Sequence, residues 1–352
     1  MELLIATGGT GGHLYPALAL AEEASSRGIG VLFILGQIKE GVVAGELSGI
    51  RVPSGPLSGV SFRKKAVSAV KIAIGTLICL RAVGRGPLVA FGSYASVPAL
   101  LAARLRGKKY WLMEQNVIPG ATVRAFARGA AAVFTTFPET EERLPGARCV
   151  LSGNPLRKGL QQISKKEARS AFGFDGRPLV LVMGGSQGAR ALTKKALEMA
   201  LEMPEVQFLI IAGRRDYQVF RRDYPERGEN FLLLDYLPDV SPAYSGADIA
   251  IARAGGGVSQ ELAFFGLPAV LVPFPHAAED HQRANAEALA KTGGAVVLEE
   301  DRLGDLAGVL RELLSDSQRL SYMARAIRVF NRPRAAAVVL DEVLKETNKG
   351  GS

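Results

Sequence analysis

The chain predicts an α/β architecture built twice, as two doubly wound parallel sheets, and three observations carry that prediction. Apolar strand-like segments alternate with helical ones along most of the 352 residues. Two glycine-rich turns each follow an apolar strand and precede a helix: Leu3-Leu4-Ile5-Ala6-Thr7-Gly8-Gly9-Thr10-Gly11-Gly12-His13 and Leu179-Val180-Leu181-Val182-Met183-Gly184-Gly185-Ser186-Gln187-Gly188-Ala189. Gly8 and Gly184 stand 176 positions apart, half the chain length. Such a chain exceeds one ordinary core and suits two domains of roughly 150 to 200 residues. Glycine permits close backbone approach, and a helix start offers free N–H groups with about half a positive charge, so each turn is a candidate anion cradle. Two cradles in similar halves suggest a cleft between them.

In the first half, a strand at about 2–7 leads into a helix from Pro16 to Arg27 closed by Gly28, then a strand at Val31–Leu35. Later strands fall near Val89–Phe91, Tyr110–Met113 and Ala131–Thr135. The second half repeats the plan near Leu179–Val182, Gln207–Ala212, Asn230–Leu234, Asp248–Ala252 and Ala269–Val272. A boundary fits Ser152-Gly153-Asn154-Pro155, where a short apolar strand ends in turn residues. The final helix, about Arg334 to Glu346, can cross back to either domain.

Composition narrows the class. Cys79 and Cys149 are too few for a disulfide framework and lack zinc-site spacing, which fits a reducing compartment, with the cytoplasm as default. The first residues lack a basic segment and read as a strand instead of a signal peptide. The uncharged stretch Gly86–Ala103 is long enough to span a membrane, but Pro87, Gly92, Ser93, Ser96 and Pro98 break it into strand, loop and helix start.

Net charge is +9, and its placement matters more than its size. Between Glu46 and Glu114 there is no acidic residue but 11 basic ones, so this region holds the whole positive excess. Within it, Val67, Val70, Ile74, Leu77 and Ile78 recur at helical spacing beside Phe62, Arg63, Lys64, Lys65 and Lys71. A crossover helix packed on the sheet is the ordinary reading. The apolar spread and the uniformly positive flanks suit instead a segment seated reversibly on an anionic membrane surface. Nucleic acid ranks lower, because the segment lacks aromatic stacking platforms.

The first glycine turn does not fit a dinucleotide fingerprint, since Leu14 stands where the third glycine belongs, nor a P-loop, since His13 stands where lysine belongs. His13, His276 and His281 all fall at predicted carboxyl ends of strands. His13 is the candidate general base, because imidazole can take a hydroxyl proton near neutral pH; its alternative role is to hydrogen-bond the turn. Arg253-Ala254-Gly255-Gly256-Gly257 also links a strand to a helix and forms a phosphate-sized site. Glu261, expected in that helix's first turn, is either a bidentate acceptor for sugar hydroxyls or a carboxylate stabilising the helix dipole. Gln282 and Asn285 are spaced to share a helix face, with Asp280 a candidate N-cap. No Asp-x-Asp pair occurs, giving little basis for a metal on a diphosphate, and neither a metal nor a cofactor is expected.

Together, Gly8-Gly9-Thr10-Gly11-Gly12-His13, Glu114-Gln115-Asn116, Gly153-Asn154-Pro155-Leu156-Arg157, Gly184-Gly185-Ser186-Gln187-Gly188-Ala189 and the segment His281-Gln282 to Asn285-Ala286 closely resemble the MurG family, from residue 1 to about 345. Its members transfer N-acetylglucosamine from UDP-N-acetylglucosamine (UDP-GlcNAc) to undecaprenyl-pyrophosphoryl-N-acetylmuramoyl-pentapeptide, turning lipid I into lipid II.

The resemblance implies a GT-B fold, with two Rossmann-like domains facing across a cleft. Residues 1–156, joined by the C-terminal helix 334–352, would face the acceptor and membrane, and residues 157–333 would bind the donor. It implies metal-independent inverting transfer with closure over the donor, at the cytoplasmic face of the membrane, within reach of a cell-wall synthesis complex. By position, Thr10, Gly11, Gly12, Asn116, Arg157, Ser186 and Gln282 match donor-binding positions. Glu261 matches the residue on the uridine ribose, Leu237 the one whose backbone meets uracil, and His13 the histidine usually proposed as base. Met113 departs from the histidine many relatives carry before Glu-Gln-Asn, and Gly256-Gly257-Val258-Ser259-Gln260 from the usual Ala-Leu-Thr-like run. The competing readings are another GT-B glycolipid glycosyltransferase, a UDP-sugar epimerase, and a non-catalytic lipid-surface or nucleotide-binding module.

Overall fold

The computed structural model describes residues 2–9, 11–38, 49–56, 61–185 and 188–348. In chain order the elements are β1 (Glu2–Gly9), α1 (Gly11–Ser26), β2 (Gly30–Ile38), β3 (Gly49–Arg51), α2 (Phe62–Ala82), β4 (Leu88–Ala90), α3 (Val97–Leu105), β5 (Tyr110–Glu114), α4 (Ala121–Phe126), β6 (Ala132–Thr135) and β7 (Cys149–Leu151). There follow α5 (Lys165–Ala171), β8 (Leu179–Met183), α6 (Arg190–Glu202), β9 (Gln207–Ile211), α7 (Arg214–Phe220), β10 (Phe231–Leu234), α8 (Ser241–Gly246) and β11 (Ile249–Ala252). The last are α9 (Gly256–Phe265), β12 (Ala269–Leu271), α10 (His281–Lys291), β13 (Ala295–Val297), α11 (Leu306–Ser315), α12 (Ser317–Ile327) and α13 (Ala335–Asn348). The chain divides into one unit of Met1–Lys158 with Arg332–Ser352 and a second of Gly159–Asn331.

The first unit is a seven-stranded sheet in the order β3-β2-β1-β4-β5-β6-β7, and the second a six-stranded sheet in the order β10-β9-β8-β11-β12-β13. Every pairing between named strands is parallel. Both sheets reverse direction beside their first strand, the position where ligands of open α/β sheets collect, at strand carboxyl ends.

Burial on both faces explains the unbroken apolar strands. In β1, Leu3 and Ile5 pack with Ala17, Leu20 and Ala24 of α1 and with Val339, Leu340 and Val343 of α13. Leu4 and Ala6 point the other way, onto a cluster that includes Cys79 and Ala82 of α2 and Ala99 and Leu100 of α3. The last helix thus completes the core of the first unit.

Some boundaries differ from the sequence expectation. α1 starts at Gly11, not Pro16, so Gly11, Gly12 and His13 form its first turn; Pro16 sits inside, unable to donate to the carbonyl four residues back. The three-residue strands β3 and β13 lie at or near sheet edges and are too short to show periodicity. The stretch Gly86–Ala103 resolves into β4, a short 3-10 turn and α3, and among the described residues no helix is long and apolar enough to cross a membrane.

Candidate functional site

In the first unit the candidate residues gather at the carboxyl ends of β1, β4, β5 and β7. The glycine turn is pressed against the loop after β4: a Cβ on Gly8 would lie 2.7 Å from the Ala95 Cβ, and one on Gly9 (φ 83°) 3.1 Å from Ser93 Oγ. From the same loop, Gly92 (φ 61°) passes the His13 ring, so that a Cβ there would sit 3.7 Å from Nε2. Thr7 Oγ1 donates to the His13 carbonyl at 3.1 Å, fixing the backbone that carries the imidazole. His13 is partly exposed and Gly12 exposed, in the first turn of α1, the part of a helix that can meet an anion. Thr10 lies outside the described residues.

Arg157 follows β7 and lays its guanidinium over the ring of Tyr15, 4.8 Å from the centroid, which ties it to the helix bearing His13. Asn116 follows β5 and is held by Glu114, whose Oε1 accepts from the Asn116 amide at 2.9 Å and from Nδ2 at 3.3 Å. Oε2 of Glu114 accepts from the Gly120 amide at 2.8 Å, closing the whole loop around one carboxylate. Glu114 is only 3% exposed, and burial pushes its carboxyl up to about 7 against the backbone donors that favour the charged form.

The second unit offers more open glycine backbones. Among the described residues, nothing would lie within 4 Å of a Cβ built on Gly185 (φ 75°), Gly255 or Gly257. α9 begins at Gly256 with Gly255 as N-cap, a residue with no side chain of its own to cap the helix. Its first N–H groups are therefore oriented for an external acceptor. Gly188 differs: a Cβ there would strike the Ala212 carbonyl at 2.5 Å. Ser186 lies outside the described residues.

Glu261 is the sixth residue of α9, in its second turn, and no acidic residue occupies the first. The alternative role as a dipole-stabilising carboxylate therefore fails, because that effect fades beyond the first turn. Instead Tyr244 Oη donates to Glu261 Oε2 at 2.7 Å, and the buried Tyr244 ring stacks on Phe265 at 5.0 Å. Leu237 is partly buried in the turn between β10 and α8.

Gln282 Oε1 accepts from the Phe274 amide at 3.0 Å, joining α10 to the loop after β12. Asn285 is fully buried and donates through Nδ2 to the Ala254 carbonyl at 2.9 Å, so it holds the α9 entry turn in place. Asp280 occupies the N-cap position but makes no side-chain cap; its Oδ2 meets Arg283 Nε at 2.8 Å. Glu279 and Asp280 both adopt left-handed backbone, φ 54° and 56°, a strained conformation that needs a supporting structure. Arg253 braces the start of the loop after β12: buried, it donates to the Val272 and Pro273 carbonyls at 3.1 and 3.0 Å and pairs with Glu300.

α2 turns its small residues inward and its large ones outward. Ser68, Gly75, Thr76 and Cys79 are buried along with Ile72, while Phe62 is 86% and Leu77 67% exposed, with Val67, Val70 and Ile74 also out. Arg63, Lys64, Lys65 and Lys71 share that exposure. The apolar stripe, for which packing on the sheet is the ordinary reading, is the outer face, and Gly75 lets the other side of the helix approach closely: a Cβ there would lie 2.5 Å from the Pro53 carbonyl.

Sequence reasoning did not single out Tyr244, Arg253 or Glu114 for these supporting roles. Arg253 and Glu114 carried a readable signal, a charge continuing an apolar strand. Tyr244, in a short helix 17 residues before Glu261, carried none. Among the described residues no three histidine, cysteine, aspartate or glutamate side chains gather where they could hold a metal.

Residues 3–135 match the glycosyltransferase family 28 N-terminal domain and residues 179–339 the glycosyltransferase family 28 C-terminal domain. A curated UDP-N-acetylglucosamine--N-acetylmuramyl-(pentapeptide) pyrophosphoryl-undecaprenol N-acetylglucosamine transferase of Nitratidesulfovibrio vulgaris is 37% identical, with 98% of each chain covered. One of the same name from Moorella thermoacetica is 35% identical over 99% of this chain and 100% of that one. The crystal structure of Acinetobacter baumannii MurG aligns over 98% of this chain and 99% of its own with TM-score 0.75 and 28% identity. A UDP-GlcNAc 2-epimerase from Neisseria meningitidis covers 98% of this chain and 100% of its own at TM-score 0.70, but at 15% identity it shares the fold alone. Matched from end to end by relatives more than 30% identical, and carrying both family 28 domains on a GT-B fold, this chain belongs to the MurG family of glycosyltransferases.

Proposed function

We infer that the protein transfers N-acetylglucosamine from UDP-GlcNAc to undecaprenyl-pyrophosphoryl-N-acetylmuramoyl-pentapeptide, the lipid I to lipid II step of peptidoglycan synthesis. The observation that carries this reading is the full-length match to relatives of that activity. Incubation with labelled UDP-GlcNAc and lipid I tests it: label should enter lipid only when acceptor is present. An epimerase would alter the sugar nucleotide without acceptor.

In the mechanism we favour, charge develops on the β-phosphate as UDP leaves. The α9 start at Gly255–Gly257 and the backbone of Gly184 and Gly185 present peptide dipoles to it, with Ser186 as a further donor contact, and such preorganised donors strengthen where water is excluded. Glu261, steadied by Tyr244, accepts the ribose hydroxyls, Leu237 offers backbone to uracil, and Gln282 contacts the donor from α10. The C4 hydroxyl of the acceptor sugar attacks from the opposite face and inverts the anomeric centre, while His13 removes its proton. Thr10, Gly11, Gly12, Asn116 and Arg157 complete the donor contacts from the first domain.

Attachment to the cytoplasmic membrane face is part of this proposal. The exposed apolar residues of α2 among Arg63, Lys64, Lys65 and Lys71 support it, since basic residues near an anionic surface contribute about 1 kcal/mol each. Lys64→Glu with Lys65→Glu should weaken sedimentation with phosphatidylglycerol vesicles while sparing donor affinity; unchanged sedimentation removes the assignment.

A further inference from the structure

The loop after β12 carries two side chains that the transfer mechanism leaves unused, Phe274 and His276. Phe274 is 39% exposed, and its surroundings hold it where it is. Its amide donates to Gln282 Oε1 at 3.0 Å and its carbonyl accepts from the Ala277 amide at 3.0 Å, so both backbone groups are engaged. The Arg253 guanidinium lies over the ring, 5.3 Å from the centroid, and is itself tied to the Val272 and Pro273 carbonyls and to Glu300. The His276 ring stands nearly perpendicular, at 86° with centroids 5.6 Å apart. Pro273 and Pro275 lock φ at the positions on either side. A solitary exposed phenylalanine needs no explanation, but one braced through its backbone and its ring while still open to solvent is a preorganised apolar surface.

The strand order identifies what reaches that surface. All strands of the second sheet are parallel, so its carboxyl edge runs β10-β9-β8-β11-β12-β13. In the proposed donor site uracil lies at Leu237, after β10, and the diphosphate at Gly184–Gly185, after β8, and at Gly255–Gly257, after β11. β12 is the next strand in that direction. Leu271 pairs in register with Ala252, so Phe274 and Gly255 each stand three residues beyond a paired position on adjacent strands. Continuing past the β-phosphate along the same edge brings the hexose to the loop after β12. Gln282, matched to a donor-binding position, is joined to that loop by the Phe274 amide itself. A pyranose has an apolar C–H face and a polar rim; an aromatic ring suits the first and an amide side chain the second.

We propose that Phe274 is a specificity-determining residue for the sugar half of the donor, an assignment that rests on UDP-GlcNAc being the donor. The C–H face of the N-acetylglucosamine ring lies on the Phe274 ring, which sets the anomeric carbon at the end of the diphosphate. The nucleotide half is held elsewhere and does not touch it.

Calorimetric titration of the full chain with UDP and with UDP-GlcNAc separates the two halves. Phe274→Leu keeps an apolar side chain but removes the ring; it should weaken UDP-GlcNAc about tenfold, the scale of one aromatic contact, and leave UDP within about twofold. Phe274→Tyr keeps the ring and should restore the wild-type affinity. In the transfer assay the leucine variant should raise the KM for UDP-GlcNAc and leave that for lipid I unchanged. Equal weakening of UDP and UDP-GlcNAc would make the ring a support for the loop only and overturn the proposal, as would two unchanged affinities or a tyrosine that does not restore binding. A rise confined to the KM for lipid I would give the ring to the acceptor and overturn it likewise. A wild type that binds no UDP-GlcNAc would overturn the donor reading as well, whereas wild-type binding with indistinguishable variants leaves that reading standing and removes the platform alone.

Discussion

Two strand–glycine–helix turns, the one before α1 in the first domain and the one before α9 in the second, use their glycines for opposite reasons, while the turn before α6 is as crowded as the first: a Cβ on Gly184 would lie 2.3 Å from the Ala189 amide nitrogen. In the first, Gly8 and Gly9 are small because protein lies against them, the Ala95 and Ser93 side chains of the loop after β4. In the second, a Cβ on Gly255 or Gly257 would meet no described neighbour within 4 Å, which leaves room at the start of α9. The first turn buys rigidity around His13, whereas the second leaves room for a ligand. A glycine-rich turn is thus not one signal but two, and only the space around it tells them apart.

The largest effect separates chemistry from binding. His13→Ala should lower kcat about a hundred- to ten-thousandfold, the usual contribution of general base catalysis, with the KM for UDP-GlcNAc nearly unchanged. A change confined to donor KM would move His13 from base to binding residue.

Next come the glycines themselves. Gly8→Ala overpacks against Ala95 and should cost about 1–3 kcal/mol of stability, read from a urea midpoint. Gly257→Ala meets open space in a helix, should stabilise by up to about 1 kcal/mol, and should raise donor KM about tenfold by filling the phosphate approach. If the two variants behave alike, the contrast between the turns is broken.

Much of this was legible beforehand. Every strand of four or more residues in the second unit was predicted near its observed place, because doubly buried parallel strands are continuous apolar runs bounded by turn residues. β3 and β13 were not, since three residues show no period. The start of α1 was misplaced by taking Pro16 as a first-turn proline, when Gly11 and Gly12 already supply helical backbone. In the site, the turns and His13 could be found from local sequence. Glu261 falls in the second turn and not the first because α9 already starts at Gly256, within the glycine run, and its partner Tyr244 is joined only by tertiary packing.

Tyr244→Phe sharpens that point. It removes the hydroxyl that holds Glu261 but keeps the stack on Phe265, so donor KM should rise roughly five- to tenfold with kcat little altered. An unchanged donor KM would free Glu261 from dependence on Tyr244.

The last comparison concerns pH and the Glu114 loop. Its carboxyl is raised from an ordinary 4.5 to about 7 in the folded protein, so the native state holds the proton more tightly than the unfolded chain. Its share of stability is full below about pH 4.5, declines as pH rises through that window, and is gone above about 7. Glu114→Gln should flatten the decline in urea midpoint across that range; an identical pH profile would contradict the burial argument.

Hydrogen exchange with and without UDP addresses the contrast between the domains most directly. The bare start of α9 should become protected on binding, in the amides from Gly256 to Ser259, together with the turn around Gly184. Protection confined to the Gly8–His13 turn, with α9 exchanging as before, would contradict the assignment of the open glycines to the nucleotide.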